Sequence, residues 1–118
     1  MKPIKAIAAA AVVSTSLSGH LAANAKPFIY TSVWSYSANR DKCIKSAEAV
    51  LAKHGFKDFE SQNLSKDRSK KISGYHKSEY ITAEIECDQK IGVTTLGVAG
   101  LDNDATYDMY SKLHDAEW

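Results

Sequence analysis

A chain of 118 residues with 15 Lys and Arg against 14 Asp and Glu, a formal net charge of +1, has room for one modest domain. That balance gives no general electrostatic argument for nucleic acid or an anionic membrane as a partner. No segment after the first 25 residues is apolar enough to span a bilayer.

The chain opens on a short positive stretch, Met1 to Lys5, followed by an apolar run from Ala6 to Val13 and a semi-polar stretch to Leu21. Ala23-Asn24-Ala25 matches the small-x-small pattern of signal-peptide cleavage. The expectation is a signal peptide over 1–25 and a single exported domain over 26–118, periplasmic or secreted. Its Ala-rich composition points to a bacterial source. Losing Lys2 and Lys5 leaves 13 basic against 14 acidic residues, a net charge of −1. A chain of about 90 residues buries a modest share of its unfolded surface, so a covalent staple would help it. Cys43 and Cys87 are its two cysteines. In an oxidising compartment an even pair reads first as a disulfide.

Phe28 to Tyr36 is rich in β-branched and aromatic residues and predicts a strand. Apolar residues on both of its faces predict a central position. Ser37 or Asn39 can cap a helix over about 38–54. Cys43, Ala47, Val50, Leu51 and His54 share one face of that helix, and Gly55 ends it. Phe56 to Leu64 predicts a second strand. Ser65 to Lys71 has no apolar residue and predicts a solvated loop or a hairpin turn. Ile72 to Tyr75 begins the next ordered segment. Tyr80 to Cys87 alternates most clearly, with Ile81, Ala83, Ile85 and Cys87 on one face. Ile91 to Ala99 predicts an interior strand. Asp102, Asn103 and Asp104 then supply a cap and first-turn acids for a last helix bearing Ala105, Met109 and Leu113. The expected fold is an α+β two-layer sandwich, β-α-β-β-β-α, a ferredoxin-like variant with an antiparallel-rich sheet and two helices on one face. Cys43 and Cys87 then lie on facing surfaces.

Cys43 with Ala47-Glu48-Ala49-Val50-Leu51 and Gly55-Phe56, then Gly74-Tyr75, Tyr80-x-x-Ala83-x-Ile85-x-Cys87 and Val98-Ala99-Gly100-x-Asp102, resembles a family of small secreted bacterial proteins of unknown function. The resemblance implies export and a helix cysteine paired with a strand cysteine. It implies no activity and no cofactor. The helix is also similar to that of heavy-metal-associated domains, whose Cys-x-x-Cys pair suits copper(I). The first cysteine of that pair falls at position 40, which is Arg40.

Lys66, Arg68, Lys70 and Lys71 form a basic run, either an anion-binding loop or a solvated turn. Asp102 to Asp108 fails the EF-hand pattern, because its sixth position is Tyr107 rather than glycine. Glu84 and Glu86 project together about 7 Å apart, as solvated strand residues commonly do. His54 and His114 end helices, and His76 is expected in a loop. Nucleophile-elbow, zinc-protease and phosphate-loop motifs are absent from the sequence. Tyr30, Trp34 and Tyr36 share a parity on the first strand. This stripe is either the core side or an open surface for a partner. The leading functional reading is a non-enzymatic module, monomer or homodimer, binding an envelope protein or ligand through that stripe. The alternative is thiol-redox or metal handling through Cys43 and Cys87.

Overall fold

The computed structural model describes residues 26–36, 39–65 and 67–118. The expected signal peptide, the cap candidate Ser37 and the basic-run residue Lys66 lie outside the described residues. The elements are β1 (Phe28–Ser35), α1 (Arg40–Lys53), β2 (Lys57–Ser65), β3 (Ser69–His76), β4 (Ile81–Asp88), β5 (Val93–Gly100) and α2 (Asn103–His114). The chain is α+β, with a five-stranded antiparallel sheet in the order β1-β5-β4-β3-β2. β2 to β5 form a meander, and β1 joins its far side by pairing with β5.

Asn39 caps α1: its Oδ1 accepts from the Lys42 N–H at 2.9 Å. Cys43, Ala47, Val50 and Leu51 are buried as their spacing predicts, and Ile44 widens the buried face. Gly55 takes a φ of +88° after the helix. There its N–H donates to Ala52 O, while that of Phe56 donates to Leu51 O at 3.0 Å. Both bonds satisfy carbonyls that the helix end leaves open. Ile81, Ala83, Ile85 and Cys87 on β4 are buried, as are Leu96 and Val98 on β5. Each helix touches this row of β4. Cys43 of α1 is bonded to Cys87, and Thr106 of α2 lies against Gly100 and Ile81. A Cβ at Gly100 would collide with Thr106 Oγ1 and stand 2.9 Å from Ile81 Cγ1, so glycine lets α2 seat on the sheet.

Three expectations are corrected. β1 is an edge strand rather than a central one: it pairs with β5 alone, and its second apolar row, Ile29 and Val33, is exposed. The sheet also has one more strand than expected. Ser69–His76 pairs on both sides, so Lys70 and Lys71 are strand residues, and Asp67 and Arg68 are the turn residues described before them. Two neighbouring strands and the buried Ile72 hold β3 in place, with ion pairs from Lys70 and Lys71 beside them. His76 consequently closes β3 instead of lying in a loop.

Candidate functional site

Cys43 and Cys87 form a disulfide with Cα atoms 6.2 Å apart, within the ordinary bridging range. Both residues are buried. The Thr94 hydroxyl, itself buried, donates to Cys43 Sγ at 3.3 Å. A thiolate reagent needs access and a charge-stabilising neighbourhood, and this pair has an apolar helix-to-sheet interface instead. Among the described residues, no group of three or more His, Cys, Asp or Glu side chains is placed to hold a metal ion. No helix among them is long and apolar enough to cross a membrane.

The basic residues are dispersed and paired. Arg68 Nε stands 2.7 Å from Asp88 Oδ2. Lys70 Nζ is 3.4 Å from Asp41 on α1, and Lys71 Nζ is 3.3 Å from Glu84 on β4. Strand alternation sends Lys70 and Lys71 to opposite sides of the sheet. Burial works to raise the Asp88 carboxyl. Hydrogen bonds from Arg68 and from the Ile91 and Lys90 N–H groups, with the Arg68 charge, outweigh it and hold Asp88 below its ordinary value. The acids after β5 serve the helix. Asp102 Oδ1 accepts from the Ala105 N–H at 2.9 Å, and Asp108 pairs with Lys112 at 2.8 Å.

The aromatic stripe lies on the helix side. The Tyr30 ring is 5.2 Å from Tyr107 and 5.7 Å from Tyr110, both on α2. Its hydroxyl donates to Asn103 Oδ1. Trp34 packs against Trp118 at 5.4 Å, and Tyr36 packs on the core. Tyr30, Trp34 and Tyr36 therefore do not make an open surface. The other parity does: Ile29 and Val33 are 64% and 65% exposed. The sequence left open which parity of β1 is covered, because both rows carry apolar residues.

β1 differs from the opposite edge of the sheet. Phe28–Ser35 contains no charged residue and no proline, and it pairs with β5 through eight consecutive positions without a register shift. β2 carries Lys57, Asp58 and Glu60, and its register with β3 shifts twice. Asp58 sits at the first shift with φ +54°. Bulges and charges are the ordinary protection of an edge strand, and here β2 has them while β1 has none. The direction of the free groups on β1 also follows. The Tyr36 N–H donates to Gly92 O at 2.8 Å, so position 36 points its backbone at the β5 side. Antiparallel alternation then turns the N–H and C=O groups of Ile29, Thr31 and Val33 outward. The Tyr110 hydroxyl reaches Thr31 O at 3.5 Å on that outer side. Phe28, Leu101 and Tyr107 add exposed apolar surface around the same edge. Ser32 Oγ, at the middle of β1, is the one buried polar side-chain atom among the described residues without a hydrogen-bond partner.

A second region is a cleft of about 720 Å³ between the helices, lined by Lys53, His54, His76, Glu79, Asp108 and Lys112. His54 Nδ1 donates to Val50 O at 2.9 Å, which in the neutral form of the ring leaves Nε2 as an acceptor. His76 Nδ1 instead accepts from the Glu79 N–H at 3.3 Å, which puts the proton of its neutral form on Nε2. The cleft contains no serine, threonine or cysteine to act as nucleophile, and its charges balance. Comparison with protein-family models, with curated proteins and with solved structures finds no match for this chain.

Proposed function

We propose that this chain is an exported, non-enzymatic binding module whose recognition element is the outer edge of β1. An extended segment of a partner adds to the sheet there as a sixth strand. Main-chain hydrogen bonds to Ile29, Thr31 and Val33 give affinity, and side chains packed beside Ile29 and Val33 give selectivity. The observation that carries this reading is the contrast between the two edges: β2 is charged and bulged, and β1 is uncharged and regular. Export, the likeness to small secreted bacterial proteins and a single domain over 26–118 belong to the same proposal. They are supported by the charge, apolar run and Ala-x-Ala order at the N-terminus. So does a two-layer, ferredoxin-like variant plan, supported by the contacts of both helices with one side of the sheet. Thiol exchange through Cys43 and Cys87 has less support, since both are buried.

The reading is tested by selecting displayed random octapeptides on immobilised residues 26–118. Selected peptides should be uncharged and rich in alternating β-branched residues. They should lose binding to a Thr31→Pro variant. That substitution removes an outward N–H and none of the bonds to β5. Peptides that bind the variant equally well sink the proposal, as does a selection that yields none from a chain that sedimentation shows to be monomeric.

A further inference from the structure

The occupant of the β1 edge can be specified further, and the inference rests on the edge-binding reading above. We infer that the strand added to β1 is β1 of a second copy of this chain, antiparallel and related by a two-fold axis through Thr31. Three observations lead there.

The first is charge. A two-fold axis sets each side chain near its own copy, so a charged strand repels itself across such an axis. Phe28–Ser35 carries no charge, whereas a partner of opposite charge would have nothing on β1 to meet.

The second is register. Only the odd positions turn backbone groups outward, Thr31 O also taking the Tyr110 hydroxyl at 3.5 Å with its second lone pair open, so an incoming antiparallel strand pairs odd with odd. With Thr31 opposite Thr31 of the second copy, Ile29 falls opposite Val33 and Val33 opposite Ile29. The two exposed apolar residues of each copy thus cover those of the other, and threonine meets threonine, a favourable cross-strand pair. On the helix side, Phe28 falls opposite Trp34 and Tyr30 opposite Ser32. That places side chains of the second copy beside Ser32 Oγ, the buried hydroxyl without a partner. Residues 28–34 are complementary to themselves in this alignment on both sides of the sheet, and Ser35 falls opposite Pro27.

The third is the helix layer. α2 packs on both β5 and β1, the two strands nearest the edge. Joining two copies at β1 therefore brings their α2 helices to the same side of the seam. Tyr107, more than half exposed on the single chain, stands at this seam with Tyr110. The second copy therefore brings a matching helix to the half-covered tyrosines, which a bare peptide strand would not.

The test uses residues 26–118 with the disulfide intact. Sedimentation equilibrium should give a mass twice that of the chain. An isotope-filtered NMR experiment on a mixture of labelled and unlabelled chains should show an intermolecular contact between the α-protons of Tyr30 and Ser32. Val33→Lys, an exposed substitution that leaves the core untouched, should return the mass to that of one chain with an unchanged fold by circular dichroism. Thr31→Pro should do the same. A dimer that Val33→Lys leaves intact, or intermolecular contacts at another element or in another register, overturns the inference. A monomer at NMR concentrations overturns it as well. In that case the β1 resonances distinguish the two readings. If an octapeptide from the selection above shifts them, the edge still binds strands and only the second copy is wrong; if none does, both readings fall.

Discussion

Cys43 on α1 and Cys87 on β4 are joined across the buried interface between helix and sheet, with Cα atoms 6.2 Å apart. The bond closes a loop that contains β2, β3 and most of β4, so it ties the first helix to the centre of the meander. Chain-entropy arguments assign about 4 kcal/mol to a loop of this length. A small domain has only about 5–15 kcal/mol of net stability. Substituting both cysteines by alanine should therefore lower the unfolding free energy by about 3–4 kcal/mol, read from urea transitions of residues 26–118. The intact bridge should also resist reduction by glutathione until the chain unfolds, because both residues are buried. Rapid reduction of the folded protein would show that the pair is accessible and return it to candidacy as a reagent.

Asp88 ends β4 and holds the turn into β5. Its carboxylate accepts from Arg68 on one side and from the Lys90 and Ile91 N–H groups on the other. Burial opposes its ionisation, yet these bonds and the Arg68 charge keep it below its ordinary value. A carboxyl depressed in the folded state contributes stability that is fully present above its unfolded value, near pH 4. That contribution is lost as pH falls through the folded value. Asp88→Asn should be less stable than the parent at neutral pH, and the gap should close as the solution is taken below about pH 4. Urea midpoints measured from neutral to acid pH check this. A gap that stays constant into acid would mean that Asp88 contributes through packing or neutral hydrogen bonds rather than through its charge.

The sequence was most readable where one side of an element is buried and the other is wet. β4 is the clearest example. Ile81, Ala83, Ile85 and Cys87 alternate with polar residues, and all four are buried. The helix spacing that put Cys43 on the inward face of α1 was equally direct, so the disulfide followed from periodicity and cysteine count. β3 was missed for a physical reason. Its register is held by two neighbours and by ion pairs from Lys70 and Lys71 to Asp41 and Glu84. Such cross-element pairs leave no periodic trace in the strand itself. β1 was misplaced for the opposite reason. Apolar residues on both faces normally mark a strand covered on both sides. Here one row meets α2 and the other, Ile29 and Val33, meets solvent in the single chain. A strand that completes its surroundings with a partner has the same signature as an interior strand, so the misplacement and the proposed binding edge share one cause.

Hydrogen exchange along β1 follows from the direction of its backbone groups. The N–H groups of Tyr30, Ser32 and Trp34 point at β5, as the Tyr36 to Gly92 bond indicates. Those of Ile29, Thr31 and Val33 point outward. In the Val33→Lys variant the outer edge should be bare, and exchange should alternate. Thr31 should exchange at nearly the rate of an open amide. Tyr30 and Ser32 should be slower by roughly a hundredfold or more, because exposing them means separating β1 from β5. In the parent chain the paired edge should also protect Thr31 and Val33, which erases the alternation. NMR-detected exchange resolves both cases. Uniform protection along β1 in the lysine variant would mean that the outward assignment is wrong. Persistent alternation in the parent would mean that no strand occupies the edge. The substitution itself should change stability by no more than about 0.5 kcal/mol, since Val33 is an exposed residue away from the core.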